Sequence, residues 1–189
     1  MALPIDKLRA YCEGFLGYGN PEAPVWYVGM EEYGGKTEDE VLARIRAWND
    51  RGQHLIEDMR GFCRDSQYPP LVRYASTSAP RSPTWCALIE DRWAIDGRAD
   101  IANDEVLKHQ QTQWLAPKGD TCLVNLMPLP SPDTKTWNYA DWGGGWSEWP
   151  DLYERCTYMD ALAPLRARLL HNALRQYIPK CTILLNIRH

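Results

Sequence analysis

Short runs of β-forming residues alternate along the chain with stretches in which apolar residues recur at helical spacing. The three clearest runs cover residues 24–29, 121–127 and 181–187. Turn-forming residues precede the first two runs, and an apolar run of this length beside a turn is typical of a buried strand. We therefore predict three strands over these residues, the first of them buried.

Helical stripes of apolar residues fill most of the chain between the runs. They predict helices over 5–16, from Thr37 to Phe62 with a break near Gly52, from Pro83 through Trp93, over 103–115 and over 151–178. Thr37 and Glu40 have the spacing of a capping box, and Ser82 before Pro83 is a typical helix start. The predicted helix boundaries rely most on these two starts.

Prolines mark the interruptions in this pattern. Pro164 is expected to split the last helix, with Asp160 capping its second half. The proline-bearing stretches 66–82 and 128–150 are predicted to be irregular.

Strands that alternate with helices favour a central, mostly parallel sheet covered by helices on both faces. We therefore predict an α/β fold with three αβα layers, and a single domain over residues 1–189. Ligands of such sheets bind beyond the carboxyl ends of the strands. This rule directs attention to the residues after Val28 and around Asn125.

Composition narrows the classes of function. The 189 residues are 44% hydrophobic and 24% charged, which excludes long disorder. A net charge of −4 argues against tight, nonspecific wrapping of DNA and leaves room for a local basic patch. Because the sequence shows neither a membrane-spanning run nor the pattern of a signal peptide, we expect a cytoplasmic protein without a membrane partner.

The six cysteines are widely spaced and form no CxxC pair. This spacing favours buried thiols over disulfides, metal ligation or an iron–sulfur cluster, so no metal and no cofactor is expected. His54, His109 and His171 likewise stand alone in helical stretches, where they are expected at surface or half-buried positions.

Nine tryptophans against two phenylalanines are unusual. Four of them, Trp137, Trp142, Trp146 and Trp149, form a Trp-rich loop over residues 137–149. Such rings either stack on unpaired bases or pin the loop to the body of the protein. The acidic residues around them favour pinning. Arg166, Arg168 and Arg175 of the last helix could face phosphate, although a solvated helix face is favoured.

The residues at the ends of the first two strands carry the candidate chemistry. The motif loop, Gly29-Met30-Glu31-Glu32-Tyr33-Gly34-Gly35, combines glycines that admit a ligand with two carboxylates that can position a water. The alternative is a tight turn with solvated acids. Asn125 interrupts an apolar strand, where its amide either reads a base edge or is satisfied by a neighbouring backbone group.

The segment 17–35, together with Leu123-Val124-Asn125, resembles two motifs of the uracil-DNA glycosylase superfamily. Many members carry Gly-Gln-Asp-Pro-Tyr where this chain has Gly29-Met30-Glu31-Glu32-Tyr33, and others begin with Gly-Met-Asn. The resemblance implies a uracil-DNA-glycosylase-like fold and hydrolysis of the N-glycosidic bond of a flipped uracil or damaged base, with DNA as partner. It also implies that Glu31 positions the water, that Gly29, Met30 and Tyr33 form the substrate pocket, and that Asn125 reads the base.

The chain departs from the family at three places. Glu32 replaces the usual proline. Phe62 is the one phenylalanine after the first motif, and we expect it in the core-facing side of a helix rather than stacked on a base. The family's last motif, a His-Pro-Ser-type loop, has no counterpart before His189. Loss of such a donor typically costs ~10²–10³ in rate, so the resemblance implies a truncated or weakened relative.

Two other functions stay open at this stage. One is a non-enzymatic α/β module that binds a nucleotide or a protein partner through the Trp-rich loop. The other is a different hydrolase that uses Glu31 and Glu32 as a pair. The glycosylase interpretation alone requires Glu31, Tyr33 and Asn125 to line one pocket.

Overall fold

Five strands form one sheet in the computed structural model, which describes residues 5–142 and 144–185. They are β1 (Gly17–Gly19), β2 (Val25–Gly29), β3 (Ile56–Glu57), β4 (Thr121–Asn125) and β5 (Cys181–Leu184). The predicted strands are confirmed as β2, β4 and β5, although β4 and β5 end at Asn125 and Leu184, and residues 186–187 of the third run lie outside the described residues. The other two were missed because runs of three and two residues carry no periodic signal.

The strand order in this sheet is β3-β1-β4-β2-β5. β2 pairs in parallel with both β4 and β5, and β1 pairs in parallel with β3. The β1–β4 pair is antiparallel. The α/β class and the mostly parallel sheet are therefore confirmed. Since β2 and β4 are parallel neighbours with Gly29 opposite Asn125, their carboxyl ends lie side by side.

Seven α-helices accompany the sheet within the described residues. They are α1 (Ile5–Gly14), α2 (Glu38–Asp50), α3 (Met59–Asp65), α4 (Pro69–Val72), α5 (Pro83–Ile95), α6 (Asn103–Thr112) and α7 (Arg155–Tyr177). Short 3₁₀ turns occupy 73–75, 138–141, 144–148 and 150–153. The Thr37 and Ser82 side chains cap α2 and α5 as predicted, by accepting hydrogen bonds from the backbone N–H groups of Glu40 and Trp85.

The break predicted near Gly52 is confirmed, whereas the helical course over 55–58 and the split at Pro164 are wrong. The helical spacing after Gly52 does not continue α2, because the chain turns there with a φ of +95°, forms β3 and restarts in α3 behind an Asp58 cap. Pro164 does not split the last helix, and Asp160 lies inside α7 rather than at a cap. A proline within a helix removes one backbone donor, and packing of α7 on both sides of Pro164 compensates for that loss.

Side chains of β2 alternate between the two faces of the sheet. Val25 and Tyr27 belong to the larger core cluster, which the first six helices help to build. Trp26 and Val28 point the other way, into a smaller cluster closed by the C-terminal half of α7 through Ala173. Helical residues therefore cover both faces of the sheet. Within the described residues, no helix combines the length and apolar character needed to cross a membrane.

The Trp-rich loop is pinned to the body of the protein, as the acidic residues around it suggested. Trp146 and Trp149 are buried, and Trp137 and Trp142 pack against the larger cluster. The Trp146 indole donates to Glu38 Oε1 at 2.7 Å. Two of the rings are thus buried and two are partly buried, which favours packing over a platform for unpaired bases.

The thiol prediction is confirmed, whereas the helix-face prediction for one arginine is wrong. All six cysteines are free, and Cys12, Cys63, Cys86 and Cys122 are buried. Arg166 is fully buried instead of solvated, while Arg168 and Arg175 are exposed. The Arg166 guanidinium donates to backbone carbonyl groups. The sequence pattern of α7 did not reveal these hydrogen bonds.

His109 gives the fold a pH dependence that can be measured. Its ring packs edge-on against Trp93 with centroids 5.1 Å apart. Burial lowers the pKa of His109 below its ordinary value, against a smaller opposing effect of Asp120. Since the unfolded chain binds this proton more tightly, folding stability is lost as pH falls through the unfolded pKa of about 6.5 toward the lower folded pKa.

We therefore expect His109→Gln to flatten the loss of stability between about pH 7.5 and pH 5. Urea unfolding at several pH values measures this slope for the wild type and the variant. His171→Gln, at an exposed position of α7, controls for the loss of a histidine as such. Parallel pH curves for wild type and His109→Gln would contradict the assignment.

Candidate active site

The carboxyl ends of β2 and β4 open into a cleft of about 720 Å³. All five residues singled out from the sequence line it: Gly29, Met30, Glu31, Tyr33 and Asn125. The strand-end rule therefore located the cleft correctly. The roles assigned to the individual residues remain predictions.

Asn125 presents a free amide to this cleft. A side-chain Cβ at Gly29 would lie 2.6 Å from Asn125 Oδ1, so the glycine provides the space that the amide occupies. The described part of the chain gives the Asn125 side chain no hydrogen-bond partner, whereas the backbone N–H of Asn125 donates to Leu16 O at 2.8 Å. The alternative of an asparagine satisfied by neighbouring backbone is therefore wrong for its side chain.

Backbone hydrogen bonds hold the motif loop against the segment that follows β4. The N–H of Met127 donates to Met30 O, that of Ser131 to Glu32 O at 2.9 Å, and that of Gly34 to Ser131 O at 3.2 Å. Gly35 has a φ of +66° and passes so close to Pro130 that a Cβ would lie 2.3 Å from its carbonyl oxygen. The loop is thus a rigid support for the side chains that it carries.

The two adjacent acids of the motif loop have different partners. Glu31 pairs with Arg155, which lines a second, smaller cleft of about 180 Å³ and does not line the main one. Glu32 pairs with Arg44 at 2.9 Å and accepts a hydrogen bond from the Tyr18 hydroxyl at 3.2 Å. Both Arg44 and Tyr18 line the main cleft. The two acids therefore have separate arginine partners, although both line the main cleft.

Arg44 is the centre of a buried polar cluster at the bottom of the cleft. It also pairs with Glu40 at 3.0 Å, one helical turn away in α2. Although burial opposes its charge, Glu32, together with Tyr18 and Glu40, holds the pKa of Arg44 above its ordinary value. Burial has the largest effect on the pKa of Tyr18 and raises it, and the Glu32 charge raises it further. The Tyr18 hydroxyl therefore stays protonated and donates. The cluster carries one net negative charge.

Aromatic rings form the outer walls of the cleft. Tyr68 and Tyr74 come from the segment between α3 and α5, and Trp85 comes from the first turn of α5, with Tyr74 and Trp85 edge-to-face at 5.2 Å. Tyr33 stands at the mouth with 68% of its surface exposed, and the Lys36 ammonium lies 5.1 Å from its ring centre. Flat walls of this kind suit a planar ligand.

Three cations surround the mouth, and we name Lys36, Arg73 and Arg81 the basic rim. All three are exposed, although Arg81 also donates to Asn103 at 3.2 Å and approaches Glu90 at 3.8 Å. The carboxylates that line the cleft are Glu31, Glu32 and Glu40, and each pairs with an arginine. The mouth is therefore locally basic in a chain with a net charge of −4.

Sequence reasoning missed most of this wall and rim, because it treated 66–82 as a loop, whereas the structure forms α4 and a 3₁₀ turn there. The signal was present in that stretch, where Arg73 adjoins Tyr74 and Arg81 precedes Trp85 by four residues. Phe62 is fully buried in the core, as predicted, and does not line the cleft. His189 lies outside the described residues. Among the residues that are described, no cluster of three or more His, Cys, Asp or Glu is arranged to hold a metal ion.

Comparison with protein-family models, curated proteins and solved structures finds no significant match to this chain. What the cleft binds must therefore be inferred from its own chemistry: the free amide of Asn125, carboxylates paired with arginines, aromatic walls and a basic mouth.

Proposed function

We propose that this protein binds a nucleobase flipped out of DNA and hydrolyses its N-glycosidic bond, as a uracil-DNA-glycosylase-like enzyme. The observation that carries the proposal is the unpartnered amide of Asn125, which shares one cleft with the carboxylates of the motif loop. The proposal includes the finer fold assignment, a three-layer domain of the uracil-DNA glycosylase type.

The cleft suits a uracil in size and in chemistry. A volume of about 720 Å³ admits a base together with its sugar. The Asn125 amide offers an acceptor and a donor side by side, which complement the N3–H and a carbonyl oxygen of uracil. The aromatic walls supply stacking, worth roughly 1–3 kcal/mol for each base.

The basic rim suits the phosphates that flank an extruded nucleotide. Lys36, Arg73 and Arg81 surround only the mouth of the cleft, so they favour local contact with one strand rather than wrapping of a duplex. Extrusion costs least in single strands and at mismatches. We therefore expect preference for uracil in single-stranded DNA or opposite guanine.

The chemistry needs a carboxylate close to the sugar. Cleavage passes through a cation-like sugar, and a carboxylate that holds water stabilises that charge. The described lining of the cleft contains no histidine to stabilise the departing base. We therefore expect turnover lower by ~10²–10³ than in a site that has such a donor.

The test is excision by the purified chain. Oligonucleotides with one uracil, either single-stranded or paired with guanine or adenine, are incubated with the protein, and abasic sites are revealed by alkaline strand cleavage. We expect cleavage at the uracil and none in the matched thymine strand. Intact uracil strands under single-turnover conditions, with protein in excess, would contradict the enzymatic proposal.

A second function is favoured by one observation, the pairing of every carboxylate in the cleft with an arginine. Carboxylates held in ion pairs fit a module that binds a base or nucleotide without cleaving it. It differs from the alternative predicted from the sequence, a module that binds a nucleotide or a protein partner through the Trp-rich loop, which is less favoured because those rings are buried or partly buried. Uracil-dependent binding without abasic sites would select this second function.

A further inference from the structure

We propose that Glu32, rather than Glu31, is the catalytic carboxylate of this cleft, and that Glu31 serves as an anchor for the motif loop. This inference rests on the proposed function. It assigns to Glu32 the catalytic role that the resemblance implies for Glu31. The position of Glu32 is occupied by proline in many members of the family, so the motif alone does not suggest it.

Glu31 lines both clefts, but its carboxylate pairs with an arginine that does not line the main one. Arg155 opens α7, lines the smaller cleft and also donates to Asp133 O at 2.9 Å. Only 11% of the Glu31 side chain is exposed. Its ion pair therefore ties the motif loop to α7 and to the segment after β4, which is a structural task.

Glu32 is placed to meet a ligand instead. Its Oε2 is held by Arg44 and Tyr18, and within the described residues its Oε1 has no partner. The Glu32 side chain is 23% exposed, twice as much as that of Glu31. One oxygen is thus fixed, and the other is free to accept a hydrogen bond from a water in the cleft.

The cluster beneath Glu32 fixes its charge and its direction. Glu40 forms an ion pair with Arg44 from within α2. Because the Arg44 side chain is only 3% exposed, its guanidinium stays in place when a ligand binds. Two carboxylates share this single guanidinium, and the net negative charge favours a cationic sugar nearby. Arg44 and Tyr18 are positioning residues in this arrangement.

The reaction balances with water as the sole co-reactant. The water oxygen bonds to the anomeric carbon, the N-glycosidic bond breaks, and its electron pair leaves with the base. Glu32 accepts the proton that the water loses, and solvent protonates the base anion. The products are a free base and an abasic sugar with an anomeric hydroxyl group.

Single-turnover excision and DNA affinity of Glu32→Gln and Glu31→Gln test this assignment. We expect Glu32→Gln to lose ~10²–10³ in rate with affinity for an uncleavable uracil strand unchanged, and Glu32→Asp to recover part of the rate. Glu31→Gln should keep its rate within about tenfold and unfold at lower temperature, since its ion pair with Arg155 is weakened. Glu40→Gln is the matched control, because it weakens the same Arg44 cluster and should cost less rate than Glu32→Gln.

The outcomes separate the two proposals. A wild type that excises uracil, with an inactive Glu31→Gln and an active Glu32→Gln, would overturn the assignment and leave the glycosylase function in place. Equal losses in Glu32→Gln and Glu40→Gln would overturn it as well, because they would indicate a purely structural cluster. A wild type that leaves uracil in place would overturn the function itself.

Discussion

Replacing Asn125 by alanine should lower the rate of uracil excision by ~10²–10³. The amide lies at the carboxyl end of β4 and offers both a donor and an acceptor without a partner in the described chain. Alanine removes both hydrogen bonds to the base and keeps the backbone of β4 intact. Single-turnover rates on a uracil-containing single strand measure the loss.

The same variant should fold as well as the wild type. Because the Asn125 side chain has no hydrogen bond to lose, we expect its free energy of unfolding to change by less than about 0.5 kcal/mol. Asn49→Ala is the matched control, since Asn49 donates to Ile45 O within α2 and lies outside the cleft. An Asn125→Ala protein that excises uracil at the wild-type rate would exclude base reading by this residue.

Replacing Arg166 by methionine should lower the free energy of unfolding by ~3 kcal/mol, the largest effect on stability that we expect. The buried guanidinium donates to Leu126 O at 2.7 Å, to Asn125 O at 3.0 Å and to Cys12 O at 3.2 Å. Each carbonyl left without a donor costs about 1–3 kcal/mol. Relief from burying a charge offsets part of this sum, since burial already lowers the pKa of Arg166.

Urea unfolding of Arg166→Met and of Arg168→Met measures this effect against a matched control. Arg168 lies on the exposed side of the same helix, where the same substitution should change stability by less than about 0.5 kcal/mol. Equal stabilities for the two variants would show that the carbonyl groups beneath Arg166 find other donors. Because Arg166 holds the end of β4, its variant should also excise uracil more slowly.

The sequence was informative where a signal is local. β2, β4 and β5 are runs of β-formers, and the starts of α2 and α5 carry capping residues that the structure uses. β1 and β3 were not predictable in this way, because two or three residues show no period and pair only through the tertiary fold. The unbroken course of α7 past Pro164 is a further case in which packing outweighs a local signal.

The candidate site was predictable as far as strand ends are concerned. The carboxyl ends of parallel neighbours meet, so the motif loop and Asn125 had to approach each other. Which partner each of the adjacent acids takes was not predictable, because Arg155 and Arg44 are distant from them in the sequence. The burial of Arg166 was not predictable either, because the backbone carbonyl groups that accept its hydrogen bonds leave no pattern in the sequence.

The most direct test of base recognition is the affinity for a strand that carries one uracil on a 2′-fluoro sugar, which resists cleavage, compared with the same strand carrying a sugar without a base. Each base-edge contact is worth about 1–3 kcal/mol, so the uracil strand should bind at least ~10-fold more tightly to the wild type. Asn125→Ala should lose most of this difference. Equal affinity of the wild type for both strands would contradict the binding of a nucleobase in the cleft.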